Sequence, residues 1–333
     1  MAIDWQPLCD LIKSHDSFVL TTHCRADCDA VGSEVALAQI LQALGKQVTI
    51  CNGDQVPEHI AFIDPETRVR VLGLSIEPSE IWKHEVLIVV DTSAWVQLGP
   101  MAEVVRAFPG ERVIIDHHVS QDDLGAIEFK EETAEATGRL ILELGETLGV
   151  EITPEIAMPL FAAIATDTGW FRFSSVEEKT FLALARLVAA GASPPDIFST
   201  LYERHSLARL YLRGRILNNV VSDVDGRLLS THVTLQDFSE TGANSTDTED
   251  AINTLHTVQG SEIAVLFVEL DQTRTKVSLR SRTDFDVQQI AAQFGGGGHK
   301  KAAGVTFAGS LVEAQQAVLD ALRKALGLSL IHI

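Results

Sequence analysis

Arg112-Val113-Ile114-Ile115-Asp116-His117-His118 joins a short run of β-branched apolar residues to one carboxylate and two imidazoles. A run of this kind, without polar alternation, reads as a strand buried on both faces. Ligand sites in open α/β sheets lie beyond the carboxyl ends of such strands. Three further segments end alike. Phe18-Val19-Leu20-Thr21-Thr22 leads into His23, Asp27 and Asp29; Val86 to Val90 leads into Asp91; the apolar helical stretch from Ile156 to Ala165 leads into Asp167. Four segments that each deliver Asp or His where regular structure stops imply one shared polar pocket.

Working outward, the alternation of strands and helices through the first half predicts a mostly parallel sheet flanked by helices. Strands are expected at Gln47–Cys51 and near Val69–Leu72 as well. Helices are expected over 4–16, Ala30–Leu44, Pro100–Phe108, Ala134–Leu148, Pro154–Thr166 and Glu177–Ala190. Beyond Val220 the pattern changes to hairpins around Asp225-Gly226 and Asp271-Gln272-Thr273. Helices are expected there at Thr248–Val258, Val287–Phe294 and Leu311–Leu326, which makes a smaller α+β domain. The expected division is 1–190, a helical linker 191–219, and 220–328.

The 333 residues carry a formal charge of −20, which opposes attraction to long duplex nucleic acid. A phosphorylated substrate remains compatible, because divalent ions add local positive charge. No apolar run approaches the roughly 20 residues of a membrane span. Met1-Ala2-Ile3-Asp4-Trp5 lacks the basic start and apolar stretch of a signal peptide, so the cytoplasm is the expected compartment. Cys9, Cys24, Cys28 and Cys51 form no disulfide framework and read as reduced thiols.

Taken singly, an Asp after a strand is more often a turn residue than a ligand, and Asp-x-Asp is often a helix cap, as Asp29 before Ala30 would be. Jointly, His23, Asp27, Asp29, Asp91, Asp116, His117, His118 and Asp167 need one explanation. Oxygen and imidazole donors without thiolate suit Mn²⁺, Mg²⁺ or Fe²⁺. So many donors exceed what one catalytic ion needs and fit two ions about 3.5–4 Å apart. In an extended segment, Asp27 and Asp29 would face the same side, so that one loop feeds both ions.

His23-Cys24-Arg25-Ala26-Asp27-Cys28-Asp29, Asp91-Thr92-Ser93, Asp116-His117-His118 and Asp167-Thr168-Gly169 together resemble the four ordered motifs of the DHH phosphoesterases. Gly295-Gly296-Gly297-Gly298-His299-Lys300-Lys301-Ala302-Ala303-Gly304 is similar to the signature of their DHHA1 substrate domain. Length and spacing resemble the compact members that act on nano-RNA and on the 3′-phosphate of adenosine 3′,5′-bisphosphate (PAP). Some of these extend to cyclic di-AMP and its linear product pApA. The resemblance implies two Mn²⁺, with Mg²⁺ or another divalent ion as a substitute, and in-line attack by a bridging hydroxide. By the same resemblance His23 and Asp27 hold the first ion, Asp91 bridges, and Asp29, His117 and Asp167 hold the second. His118 then positions or protonates the scissile phosphate, and Asp116 orients a histidine. The family's usual glycine between the two aspartates is replaced by Cys28. Members often dimerise. Two other readings are a pyrophosphatase or exopolyphosphatase of the same superfamily, and a nucleotide-binding regulator without turnover.

A run of four glycines is commonly a flexible linker. Here it sits beside His299, Lys300 and Lys301, after Arg280 and Arg282, in a stretch (274–301) with six Lys/Arg against two Asp/Glu. Bare amides and guanidinium groups suit a substrate phosphate. Arg280, Arg282, Gly297, Gly298, His299 and Lys300 are therefore the expected phosphate contacts, facing the metal centre.

Overall fold

The computed structural model describes residues 3–119 and 122–329, without the side chains of 328 and 329. Of the tail 329–333, to which sequence reading assigns no role, residues 330–333 lie outside the described residues. The chain divides into two compact units, the first running to Arg204 and the second starting at His205.

In the first unit the chain runs α1 (Gln6–Ser14), β1 (Ser17–Thr21), α2 (Cys28–Ala43), β2 (Gln47–Asn52), β3 (Val69–Val71) and α3 (Pro78–Ile81). It continues through β4 (Val86–Val90), α4 (Trp95–Leu98), α5 (Met101–Arg106), β5 (Glu111–Asp116), β6 (Ile127–Lys130) and α6 (Thr137–Thr147). Then α7 (Pro154–Asp167), α8 (Glu178–Ala189) and α9 (Pro194–Tyr202) close the unit. All strand pairs are parallel and the order is β3-β2-β1-β4-β5-β6. The order reverses between β1 and β4, the switch point at which doubly wound sheets open a crevice beyond their carboxyl ends.

Helices cover both faces, which is why the central strands are apolar without alternation. Phe18, Leu20, Ile88 and Ile115 pack against α1, α2, α6, α7 and α8. Val19, Leu87, Val89 and Ile114 pack against α3, α4 and α5. The middle helix α2 is buried on nearly every side. A Cβ on its Gly32 would sit 2.5 Å from the Pro159 carbonyl oxygen of α7, so glycine permits this close approach.

Sequence reading missed β6 as a strand, and the helix expected over Thr248–Val258 is shorter, running Ala251–Leu255. Residues 245–248 form a separate 3-10 turn, and Asp250, at φ 61°, breaks the continuous helix expected over Thr248–Val258. The stretch 191–219 contains α9, whose Ile197 joins the first core, and α10 (Leu207–Asn218), whose Leu212 and Ile216 join the second unit.

The second unit continues with β7 (Val221–Asp223), β8 (Leu228–Val233), α11 (Leu235–Thr241), α12 (Ala251–Leu255), β9 (Ile263–Asp271) and β10 (Arg274–Ser281). It ends with α13 (Val287–Ala292), β11 (Gly297–His299), β12 (Ala302–Ala308) and α14 (Leu311–Ser329). The sheet order is β11-β12-β10-β9-β8-β7, antiparallel except for the β8–β9 pair. One face packs on α13 and α14 through Val265, Phe267, Val277 and Leu279. On the other face α10 and α12 cover Ala264, Leu266 and Val268 of β9.

Among the described residues no single helix is long and apolar enough to cross a membrane. A bent pair, α8 with α9, meets that test by length and composition only, and its Ala183, Leu184, Leu187 and Ile197 lie in the core.

Candidate metal centre and phosphate face

The switch point gathers the donors. His23 follows β1, Asp91 follows β4, Asp116 ends β5, and His117 and His118 come next. Asp91 turns at once out of β4 into a left-handed conformation, φ 62°, a strained position that Asp tolerates better than bulkier residues. Its amide still bonds to the Ile115 carbonyl, which ties the end of β4 to β5.

Asp27 and Asp29 differ from their expected layout. They do not share one extended segment. Asp27 is the N-cap of α2, with Oδ1 accepting from the amides of Asp29 and Ala30, while Asp29 lies inside the first helical turn. Asp29 caps a different helix. Its Oδ2 accepts from the Thr137 amide at 2.7 Å and its Oδ1 from the Gly138 amide at 2.8 Å. These are first-turn donors of α6, whose own N-cap is the non-capping Ala136. A Cβ on Gly138 would lie 2.7 Å from that of Ala163, so a glycine lets this turn come close. Cys28 takes the first helical position and needs no left-handed backbone, and burial pushes its thiol up to about 12.

Three overlapping groups bring a donor atom from each member within 4.8 Å of one another. They are His23 with Asp27 and Asp91, Asp29 with His117 and Asp167, and Asp91 with His117 and His118. Asp91 belongs to both sides, with Oδ2 3.4 Å from His23 Nε2 and Oδ1 3.6 Å from His117 Nε2. Every expected ligand therefore falls in one cluster. Asp29 and Asp91 form its closed floor, while Asp27, His118 and Asp167 form its accessible side.

The imidazoles decide what fits. His117 Nδ1 faces the Ala134 carbonyl at 3.0 Å and His23 Nδ1 the Cys24 carbonyl at 3.0 Å. A carbonyl only accepts, so each Nδ1 carries a proton, and in the neutral ring that ligates a metal it is Nε2 that presents a lone pair. His117 Nε2 is buried without a hydrogen-bond partner, 3.5 to 3.7 Å from oxygens of Asp29, Asp91 and Asp167. A lone pair there, aimed at three carboxylates, is repulsive unless a proton or a metal cation lies among them, and a metal cation would meet all four groups at once. These separations exceed an N–H···O bond and suit donors that each lie about 2.1 Å from a shared ion. Hard oxygens with imidazole, and no thiolate, match Mn²⁺ or Mg²⁺.

The protonation states agree. Burial, then neighbouring carboxylates, holds Asp29 and Asp91 well above the ordinary carboxylate range, and burial raises Asp167 too. His118 donates from Nδ1 to Asp116 Oδ1 at 2.9 Å, and this bond raises its basicity above the ordinary value. Asp116 itself is fully buried yet held low by the His118 ring and amide and by Ser93.

Sequence reading also missed a polar layer behind His23. The Asn52 side chain accepts from the Thr22 amide and donates to Glu34 Oε2 at 2.8 Å. Glu34 is fully buried, and burial lifts its carboxyl to about 8. Its folded value lies above the unfolded 4.5, so the stability it favours is complete below pH 4.5 and is lost as pH rises toward 8. Melting temperatures in chelator should therefore fall from pH 5 to 8 in the native chain. Glu34→Gln should flatten that fall, and parallel curves for the two proteins would refute the assignment.

In the second unit the register aligns the expected phosphate contacts. Arg280 pairs with Ala302, which pairs with His299; Ser278 pairs with Gly304, which pairs with Gly297. Arg280 and His299 thus flank a floor of Ala and Gly on the sheet face that α10 and α12 leave open. Gly297 has no heavy atom within 4 Å of a Cβ position. Gly298, at φ 137°, would place a Cβ 2.5 Å from the Ala302 carbonyl, so strand closeness explains this glycine. The Arg282 guanidinium donates to the His256 carbonyl, and Lys300 Nζ pairs with Asp284 at 3.4 Å.

Comparison with known proteins matches residues 17–164 to the DHH family N-terminal domain and residues 226–327 to the DHHA1 domain. The chain is 30% identical over 308 residues to a Thermus thermophilus protein named bifunctional oligoribonuclease and PAP phosphatase NrnA, covering 92% of this chain and 89% of that one. A Bacillus subtilis protein of the same name is 28% identical, with 89% and 90% covered. The crystal structure of an exopolyphosphatase-related protein from Bacteroides fragilis superposes with a TM-score of 0.87 at 26% identity, covering 97% of this chain and 96% of that one. The RecJ exonuclease bound to manganese shares the fold, with a TM-score of 0.54 at 14% identity. With both domains present in order, and such identity over most of both chains, this chain belongs to the DHH–DHHA1 phosphoesterase family of hydrolases.

Proposed function

We propose that this chain hydrolyses short oligoribonucleotides such as pApA, and removes the 3′-phosphate of PAP, with two divalent cations, Mn²⁺ first among them. The observation that carries the reading is Asp91 standing between two donor groups while the buried His117 Nε2 lone pair faces three carboxylates. The names of the Thermus and Bacillus relatives support the substrate class. His23, Asp27 and Asp91 would hold one ion, and Asp29, Asp91, His117 and Asp167 the other.

When bound, such ions supply Lewis-acid charge and a water of lowered pKa. The chain's own residues do the rest. Asp116 fixes the His118 Nδ1 proton, which leaves Nε2 to bind a phosphate oxygen or to hand a proton to the leaving oxygen. Its raised basicity keeps His118 charged closer to neutral pH, as a phosphate-binding acid requires. In the second unit Arg280 and His299, beside the open space at Gly297, would hold a terminal phosphate, the guanidinium also donating from Nη1 to the Leu279 carbonyl at 3.1 Å. Arg282 and Lys300 contribute positive charge to that face, although each already has a protein partner.

The test is a panel of pApA, PAP, longer RNA, cyclic di-AMP, polyphosphate and pyrophosphate with added Mn²⁺. Turnover of pApA and PAP above all others is expected. Preferred cleavage of polyphosphate or pyrophosphate would replace this reading with the one suggested by the exopolyphosphatase-related structure.

A further inference from the structure

Lysine on an edge strand normally points to solvent, where it blocks pairing with other chains. Lys130 does not. Its strand neighbours Ile127 and Glu128 are exposed, while its own side chain is 9% exposed and turned inward. In the parallel register of β5 and β6, Lys130 stands opposite Asp116, so the two side chains share a face. Burying an ammonium group is costly unless a partner of opposite charge meets it.

That partner is the carboxylate behind His118. Asp116 Oδ1 accepts from the His118 amide at 3.0 Å and from the His118 ring at 2.9 Å. Asp116 Oδ2 accepts from Ser93 Oγ at 2.7 Å and lies 3.5 Å from Lys130 Nζ. Lys130 Nζ also donates to Ser93 Oγ at 2.8 Å. An ammonium only donates, so it occupies the acceptor side of the Ser93 hydroxyl and directs that hydroxyl's proton to Asp116. Asp116 is thus held at both oxygens, one by the histidine it aims and the other by Ser93 and Lys130. Charge is divided in the same way. Of the five carboxylates Asp27, Asp29, Asp91, Asp116 and Asp167, Asp116 is the one with a Lys or Arg ion-pair partner among the described residues. The other four are left for cations.

We infer that Lys130, acting through Ser93 and Asp116, is a positioning residue for the phosphoester reaction: it locks the orientation of His118 and has no role in holding metal. The inference rests on the phosphoesterase reading, in which His118 touches substrate. Lys130→Met should lower kcat on pApA about 10- to 30-fold, within the roughly 10- to 100-fold typical when a partner behind a site's working side chain is removed. KM and the Mn²⁺ concentration for half-activity should stay within about twofold, and Lys130→Arg should recover most of the rate, because the charge and donors return. In a His118→Ala background Lys130→Met should cost less than about twofold, since residues acting as one unit are not additive.

An undiminished rate for Lys130→Met overturns the inference. So does an equal loss in the His118→Ala background, or a shifted Mn²⁺ requirement. If Lys130→Met melts below the assay temperature, Ser93→Ala takes its place and must likewise be silent without His118. A native chain inactive on both pApA and PAP overturns the reading and this inference together, whereas an active native chain matched by Lys130→Met overturns the inference alone.

Discussion

Asp91→Asn is expected to lower kcat/KM on pApA and PAP about a thousandfold, because a metal centre supplies several kcal/mol of charge stabilisation at 1.36 kcal/mol per tenfold in rate. Asparagine keeps the size, accepts the left-handed backbone at φ 62° and retains an oxygen for Thr137 Oγ1, which lies 2.8 Å from Asp91 Oδ1. It removes the one charge that spans both donor groups. The fold should survive. Burial and the carboxylates of Asp27, Asp167 and Asp116 all disfavour an ionised Asp91, so in chelator the variant should melt no lower than the native chain. A large fall in melting temperature with the loss of rate would mean that Asp91 is mainly structural.

Removal of divalent ions is expected to abolish turnover and to lower the melting temperature. An ion at 100 times its dissociation constant contributes about 2.7 kcal/mol, or about 5–10 °C for a unit of this size. The difference should grow with pH. Asp29, Asp91 and Asp167 have folded values raised above the unfolded ones, so without metal their contribution to stability is present at low pH and is lost as pH rises through the raised values. Ions displace those protons and cancel the loss. Thermal melts with EDTA and with Mn²⁺ at pH 5, 6.5 and 8 check this. A gap that narrows with rising pH would contradict the assignment, and in Asp91→Asn most of the gap should disappear.

The candidate cluster could be read from the sequence because its members come where apolar runs end or in the loop just beyond. Phe18–Leu20, Val86–Val90 and Val113–Ile115 are buried on both faces and so stand out as strands, and whatever follows such a strand lies at the sheet's carboxyl edge. The surroundings were less visible. Thr137 and Gly138 hold Asp29 through backbone amides, which leave no side-chain signature. β6 was missed because Phe129 is its one fully buried residue, so Ile127-Glu128-Phe129-Lys130 lacks alternation. Lys130 reads as a solvated edge residue until the register sets it opposite Asp116. Glu34, on an otherwise apolar α2, shows its meaning only when Asn52 of β2 reaches it. In the C-terminal unit the glycine run read as a loop, yet Gly297 and Gly298 are strand, a state that pairing with β12 imposes on residues of weak strand preference.

The central claim is that distant carboxylates and imidazoles cage two cations, and anomalous diffraction at the manganese edge tests it most directly. For crystals grown with Mn²⁺ two peaks about 3.5–4 Å apart are predicted. One should lie beside His23 and Asp27, the other beside Asp29, His117 and Asp167, with one Asp91 oxygen toward each. A single peak, or peaks away from Asp91, would contradict the account.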